Sequence, residues 1–411
     1  MAVSSSAALT RRMMLAGLGC SLAASPLVTP MTFAATPGDN RLVVLILRGA
    51  MDGLDVLRPV GDPDFADLRR VTLGKERAIP LDGFFEMHPA LGDLKPMWDA
   101  GELGFAHAVA TPYRDKRSHF DGQDILEAGI VSNDGVPTGQ DGWLNRLVAS
   151  LPGARAETAF AIGRGELRIL TGAAPTSTWA PQTQLELTPH AERLLELVYH
   201  DDPLFRDAAA SALTIVSDLE QEATMGDEDV EMGSMMSEMG VATSNKALLA
   251  MTEFAINRLR RDTRIASYSI TGWDTHAGQA NRIGGPLRNL AGTINAMKIG
   301  LGPEIWGKTT ILALTEFGRT ARENGSQGTD HGTGGAILMA GGAVRGGRVY
   351  GDWPGLAEAD LYDRRDLMPT ADVRSYAGWA MRGLYGLGVS DLERGVFPGL
   401  DMGRDPGIIL G

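Results

Sequence analysis

The run RLVVLIL at residues 41–47 constrains this chain more than any other feature. It is apolar without alternation, rich in β-branched residues, and bounded by Asn40 and Gly49. A half-exposed strand or an amphipathic helix would show polar residues on one face. A strand covered on both faces, as in a parallel sheet, would not. A second such run, TTILALT, lies at 309–315. Shorter strand patterns fall at 103–109, 159–162, 167–170, 265–271 and 335–340. Helical patterns alternate with them at 62–70, 91–100, 191–199, 204–223, 244–261, 285–301 and 371–385. This alternation predicts an α/β fold, with a mostly parallel central sheet and helices on both faces. The acidic, methionine-rich segment at 225–239 is weakly patterned and reads as a surface excursion.

Ahead of the first strand, Thr10-Arg11-Arg12-Met13-Met14-Leu15 leads into a mild apolar run at 16–27 and then Thr32-Phe33-Ala34-Ala35. Charge, apolar run and small-residue site in that order make an export signal, and the adjacent arginines place it with twin-arginine signals. The run is short and interrupted by Gly, Ser and Pro, so it does not suit a bilayer span. The expectation is a signal peptide over 1–35 and one domain over 36–411, periplasmic or secreted. Cys20 is the single cysteine. Leu18 and the continuing apolar run make its surroundings a poor lipoprotein processing site. Cleavage after Ala34 or Ala35 leaves a chain without disulfide, thiolate ligand or cysteine nucleophile.

The net charge of −13 disfavours binding to nucleic acid or to anionic membrane surfaces. A small anionic substrate would then need a local positive centre, a metal ion or an arginine.

Polar clusters follow the strand patterns, where open α/β sheets bind ligands. They are Asp52 with Asp55, Ser118-His119-Phe120-Asp121, Asp274-Thr275-His276, and Glu316 with Asp330-His331-Gly332. Carboxylate oxygens and imidazole nitrogens together form a ligand set for Zn, Mn or Fe, and mixed sets build hydrolytic sites with one or two ions. In an extended segment Asp274 and His276 share a face and can reach one ion. Arg319 either clamps a tetrahedral anion or forms a salt bridge on a helix face. His88 reads as a cap before Pro89, His107 as a core histidine, His190 and His200 as structural. Trp143 reads as a packed aromatic or as part of the cleft lining.

Arg48-Gly-Ala-Met-Asp-Gly-Leu-Asp55, Arg117-Ser-His-Phe-Asp121, Asp141-Gly-Trp-Leu-Asn145, Thr315-Glu-Phe-Gly-Arg-Thr320 and Thr329-Asp-His-Gly-Thr-Gly-Gly335 resemble the exported family catalogued as domain of unknown function 1501. That family is regarded as a distant branch of the alkaline phosphatase and sulfatase superfamily, and the resemblance implies an alkaline phosphatase-like fold. It also implies that Asp52, Asp274, His276, Glu316 and His331 bind divalent ions (Zn, Mn, Fe or Ca). Glu316 stands where the superfamily has an Asp-His pair. Ala110-Thr-Pro-Tyr-Arg114 has the spacing of the sulfatase pattern Cys-x-Pro-x-Arg, with Ala110 in place of the modified cysteine. Ser118 or Thr111 is then the candidate nucleophile, unless no covalent step occurs. Arg319 completes the catalytic set, and His119, Arg114 and Asp330 are candidate substrate-binding residues.

These readings give a metal-dependent hydrolase of phosphate or sulfate esters as the first expectation. A catalytically degenerate member that binds a ligand or a protein partner at the envelope is the second. A metal-dependent oxidoreductase is the third.

Overall fold

The structure, a computed structural model, describes residues 38–114, 117–130, 141–163, 167–181 and 246–411. All fall within one compact unit, Thr36–Gly411. The expected signal peptide with Cys20, the helices at 191–199 and 204–223, His190, His200 and the excursion at 225–239 lie outside the described residues.

The unalternating run forms β1 (Arg41–Arg48), every apolar residue of which is buried. Its side chains still obey the two-residue period of a strand. Val43, Leu45 and Leu47 enter one core, while Leu42, Val44 and Ile46 enter the other. Both faces are therefore covered, which is why the sequence shows no polar alternation.

The main sheet has nine strands. They are β1, β2 (Leu103–Ala110), β3 (Ala159–Ile162), β4 (Ser177–Trp179), β5 (Ile265–Thr271), β6 (Thr309–Leu314), β7 (Gly335–Ala340), β8 (Val349–Tyr350) and β9 (Ala371–Asp372). The order is β8-β2-β7-β6-β1-β5-β3-β4, with β9 also paired to β2. All neighbours are parallel except β7, which runs antiparallel to both β2 and β6. The mostly parallel α/β sheet is thus the one the patterning predicts. A small three-stranded sheet, Leu57–Arg58, Ile79–Pro80 and Glu86–Met87, stands apart.

Among the described residues five longer helices complete the layers: α1 (His119–Ala128), α2 (Trp143–Ser150), α3 (Lys246–Leu259), α4 (Gly284–Trp306) and α5 (Val373–Tyr385). Helices α3 and α4 supply Phe254, Ile256, Leu287 and Ile294 to one core. Helices α2 and α5 supply Leu144, Leu147, Ala380 and Met381 to the other. The regular part of α4 ends where the pattern predicts, because Gly302 takes φ 70° and ψ 168°, and Pro303 starts a further turn. Among the described residues no helix is long and apolar enough to cross a membrane.

Some expected elements differ. Residues 167–170 do not form a strand; Arg168–Leu170 is a 3₁₀ turn. Its backbone is satisfied by side chains instead of a strand neighbour: Ile169 N donates to Glu127 Oε2 at 3.1 Å, and Asn145 Nδ2 donates to Leu170 O at 2.9 Å. The pattern at 62–70 yields helix only over Phe65–Leu68, because Arg69 leaves it to enter a buried ion pair. The pattern at 91–100 becomes a 3₁₀ segment, Pro89–Leu94, followed by the short helix Lys95–Asp99. His88 caps this segment through Nδ1, which accepts from Ala90 N at 3.0 Å. Trp143 is a packed aromatic, buried with its Nε1 donating to Leu126 O at 2.9 Å.

Candidate metal centre

The loops that leave β1, β2, β5 and β6 at their C-terminal ends share one edge of the sheet. Strand β7 runs the other way, so the loop that enters it, 329–334, reaches the same edge. This reversal lets His331 meet Asp274 and His276, which follow β5, and His119, which follows β2.

Side-chain nitrogens of these histidines converge on one carboxylate oxygen. Asp274 Oδ1 lies 3.0 Å from His276 Nε2, 3.4 Å from His331 Nε2 and 3.5 Å from His119 Nε2. His276 Nε2 and His331 Nε2 are 2.9 Å apart. The opposite nitrogen of each ring faces an oxygen acceptor. His119 Nδ1 faces Glu316 Oε1 at 2.8 Å, His331 Nδ1 the carbonyl of Arg117 at 2.9 Å, and His276 Nδ1 faces Asp330 Oδ1 at 3.4 Å. The close acceptors behind His119 and His331 place their ring protons on Nδ1 and turn their Nε2 lone pairs toward Asp274. His119 Nε2 is buried and has no hydrogen-bond partner. His276 Nε2 and His331 Nε2, 2.9 Å apart, share either a proton or a cation. The donor set of His119, Asp274 and His331, whose ligand atoms all lie within 4.8 Å of one another, therefore fits a divalent ion, with His276 adjoining it at 2.9 Å from His331 and 3.0 Å from Asp274, and with oxygen acceptors behind the rings as outer support.

The charges and burial of the centre shift several of its groups. Burial works against ionisation of Asp274, but the hydrogen bond and charge of Arg319, with His276 and His119, outweigh it and hold the carboxyl at about 2. The Glu316 hydrogen bond raises the His119 pKa above its ordinary value, against the effect of burial. Burial lowers that of His331. His119 also stacks on Phe317, ring centroids 5.2 Å apart, which fixes its ring plane.

Close backbone packing positions these loops. Gly318 approaches Gly334 so tightly that a Cβ would sit 1.8 Å from the Gly334 carbonyl oxygen. Gly49, at φ 119°, lets the turn after β1 pass against Asp274, where a Cβ would meet Asp274 N at 2.7 Å.

Several expected site residues have other places. Asp52 is not among the converging ligands. It is fully buried and bidentate with Arg69, at 2.6 and 3.1 Å, and accepts from Gln279 Nε2 at 2.8 Å. Gln279 also donates to Asp55 Oδ2 at 2.8 Å and accepts from Thr275 and Thr329. Asp52 thus anchors a separate, satisfied network that grips the loops at Thr275 and Thr329. Glu316 stands behind His119. Its Oε1 accepts from His119, from Gly49 N at 2.9 Å and from Gln123 Nε2 at 3.1 Å, so it orients a ligand and is not placed as one.

Arg319 is not available as an anion clamp. Its guanidinium is buried and donates to the carbonyls of Ala50, Thr329, Gly49 and Trp273 and to Asp274 Oδ1. The Thr111 hydroxyl donates to the Glu316 carbonyl at 3.0 Å and accepts from Tyr113 N at 3.3 Å, so it is committed to its own loop. Ser118 caps α1, its Oγ accepting from Asp121 N at 3.4 Å. The Ser-x-x-Asp spacing is itself a capping signature, and it marks His119 as the side chain this turn delivers. Arg114 turns back onto the carbonyls of Thr111 and Tyr113. Asp330 accepts from Asn324 and from His276, which makes it a support for a ligand and not a substrate contact.

A family model described as "Protein of unknown function (DUF1501)" matches residues 109–377. The chain belongs to this family. The matched span of the DUF1501 member contains all four converging side chains. No curated protein matches the chain. Among solved structures, a protein in the alkaline phosphatase superfamily from Vibrio parahaemolyticus is similar at 9% identity and TM-score 0.32, over 81% of this chain and 69% of that one. A mutant TAB5 alkaline phosphatase with Mg bound in its M3 site is similar at 11% identity and TM-score 0.30, over 75% of this chain and 91% of that one. Likeness of this degree fixes neither fold nor reaction.

Sequence reasoning missed Arg69 and Gln279, and it read His119 as a substrate contact where the structure sets it among the side chains that converge on Asp274. The first two have no local signal, because their partners are far away in sequence. His119 had one in the cap preceding it.

Proposed function

We propose that the DUF1501 member is an exported, periplasmic metal-dependent hydrolase of phosphate or sulfate esters, with a single divalent ion at His119, Asp274, His276 and His331. The convergence of three Nε2 atoms on Asp274 Oδ1 carries this reading. With bonds of about 2.0–2.1 Å, ligand atoms lie about 2.9 Å apart at right angles and about 3.4 Å apart at tetrahedral angles. The centre has edges of both kinds, 2.9 and 3.0 Å beside 3.4 and 3.5 Å. The open side lies at Asp274 and His276, whose side chains are 49% and 42% exposed.

The ion, when bound, would act as a Lewis acid on the ester oxygens and on water. The chain's residues hold it and fix the protons: Glu316 keeps the His119 proton on Nδ1, and the Arg117 carbonyl does the same for His331. In hydrolysis the oxygen of water bonds to phosphorus or sulfur, and the alcohol leaves with a proton. The places of Ser118, Thr111 and Arg319 support a reaction without a covalent intermediate on the chain. The same places favour a second reading, in which a catalytically degenerate member binds a ligand or protein at the envelope.

A panel of chromogenic phosphate monoesters, phosphodiesters and sulfate esters, offered to metal-loaded protein, separates the two. Turnover that is lost in His331→Ala and kept in Ser118→Ala is expected. Absence of turnover on every class in fully loaded protein would leave the binding reading.

A further inference from the structure

With Arg319 consumed internally, a substrate anion on this acidic chain needs other N–H donors. Two arginines flank His331. The carbonyl of Arg117 accepts from His331 Nδ1 at 2.9 Å, and Arg117 takes φ 54°, a strained value for a residue with a Cβ. Arg365 Nη1 donates to the His331 carbonyl at 3.0 Å. Both guanidiniums also address one carboxylate, Asp366. Arg365 Nη1 is 2.7 Å from Oδ1 and Arg117 Nη2 is 3.9 Å from Oδ2. Asp366 is fully buried and its Oδ2 accepts from Thr333 Oγ1 at 3.0 Å.

One buried carboxylate facing two guanidiniums leaves that trio one positive charge in excess, and Asp330, half-exposed beside His276, also feels the charge of Arg365. The Asp366 carboxylate aims the arginines without standing in solvent to repel an anion. Arg117 and Arg365 are 39% and 32% exposed, and their remaining N–H groups have no partner among the described residues. The arginines of the buried networks differ: Arg69 and Arg319 spend their guanidiniums on carbonyls and carboxylates. Partly exposed guanidinium forks held from one side are the geometry that grips a tetrahedral oxyanion.

We infer that Arg117 and Arg365 form an oxyanion clamp on the His331 side of the centre, and that they take the phosphate or sulfate group of the substrate. This rests on the hydrolase reading for the substrate, but the clamp can be tested apart from it. Inorganic phosphate is titrated calorimetrically into metal-loaded and chelator-treated protein, with metal content measured on each sample. Arg117→Gln is expected to weaken phosphate binding by at least about tenfold, the worth of one charged hydrogen bond, with metal content unchanged. Arg365→Lys is expected to retain part of the affinity that Arg365→Gln loses. Arg365→Gln also loses bonds to His331 and Asp366; if it fails to fold, Arg117→Gln, which gives up only the 3.9 Å contact, still decides. Wild-type affinity in Arg117→Gln, or no phosphate binding by wild type in either state, overturns the clamp. A wild-type chain that holds no metal but binds phosphate through Arg117 overturns the hydrolase reading and keeps the clamp.

Discussion

Asp52 and Asp274 put the same functional group to opposite uses. Burial raises the cost of charge at both. At Asp52 the buried Arg69 outweighs it and keeps the carboxyl ionised with every oxygen engaged. At Asp274 Arg319 engages the same Oδ1 on which the three imidazoles converge. Asp52→Asn should therefore strand a buried guanidinium and destabilise the fold by about 3–5 kcal/mol, read by urea unfolding, while folded protein keeps its metal. Asp274→Asn also takes the carboxylate from a buried guanidinium, that of Arg319, so stability should fall there too, but here the folded protein should lose its metal. Glu316→Gln tests the support behind His119. An amide in that place can present its NH₂ to the ring, and metal affinity should fall about 10–100-fold, measured by competition with a chromophoric chelator. Ser118→Ala should cost about 1 kcal/mol as a lost helix cap and leave metal content and any ester turnover intact; loss of turnover alone would restore Ser118 as a nucleophile.

At the scale of elements, the site depends on loops packed backbone to backbone and on one reversed strand. Gly318→Ala would drive a methyl group into the Gly334 carbonyl and separate the loop of Glu316 from that of His331. Metal binding should be lost before the sheet is, as measured by metal content beside circular dichroism. The 3₁₀ segment Pro89–Leu94 makes a separate prediction about acid. Burial, then the charges of Arg58 and Arg288, lower the pKa of His88 from 6.5 to about 3, and burial lowers that of His107 to about 4. Each ring accepts a backbone N–H at Nδ1, from Ala90 and Ala108, and so must be neutral in the fold. The unfolded chain binds protons below its ordinary value that the folded chain does not. Stability from these groups is present above pH 6.5 and is lost as pH falls from there toward about 4. His88→Asn keeps a good cap that cannot titrate. Its melting temperature should fall less than wild type's between pH 6.5 and 4.5, and an equal fall would contradict the assignment.

For the whole molecule, the sheet was legible because buried parallel strands write themselves as unbroken apolar runs, and RLVVLIL and TTILALT became β1 and β6. The polar clusters at strand ends were legible for the same reason, since a ligand edge follows wherever such runs stop. What the sequence did not show is which polar groups are spent on the protein itself. Arg319 resembles a clamp in a linear motif, but its acceptors are mainly backbone carbonyls of distant loops, which no residue pattern encodes. Asp52 resembles a ligand until Arg69, from an interrupted helical pattern, occupies it. The antiparallel sense of β7 was also invisible, and it is what carries His331 to the common edge.

The central claim is that His119, Asp274, His276 and His331 together bind one divalent ion. Metal analysis of the purified protein, wild type beside His331→Ala, tests it most directly. The structure predicts about one equivalent of a transition metal in wild type and a large loss in the variant. Less than about half an equivalent in wild type, or an unchanged content in His331→Ala, would contradict it.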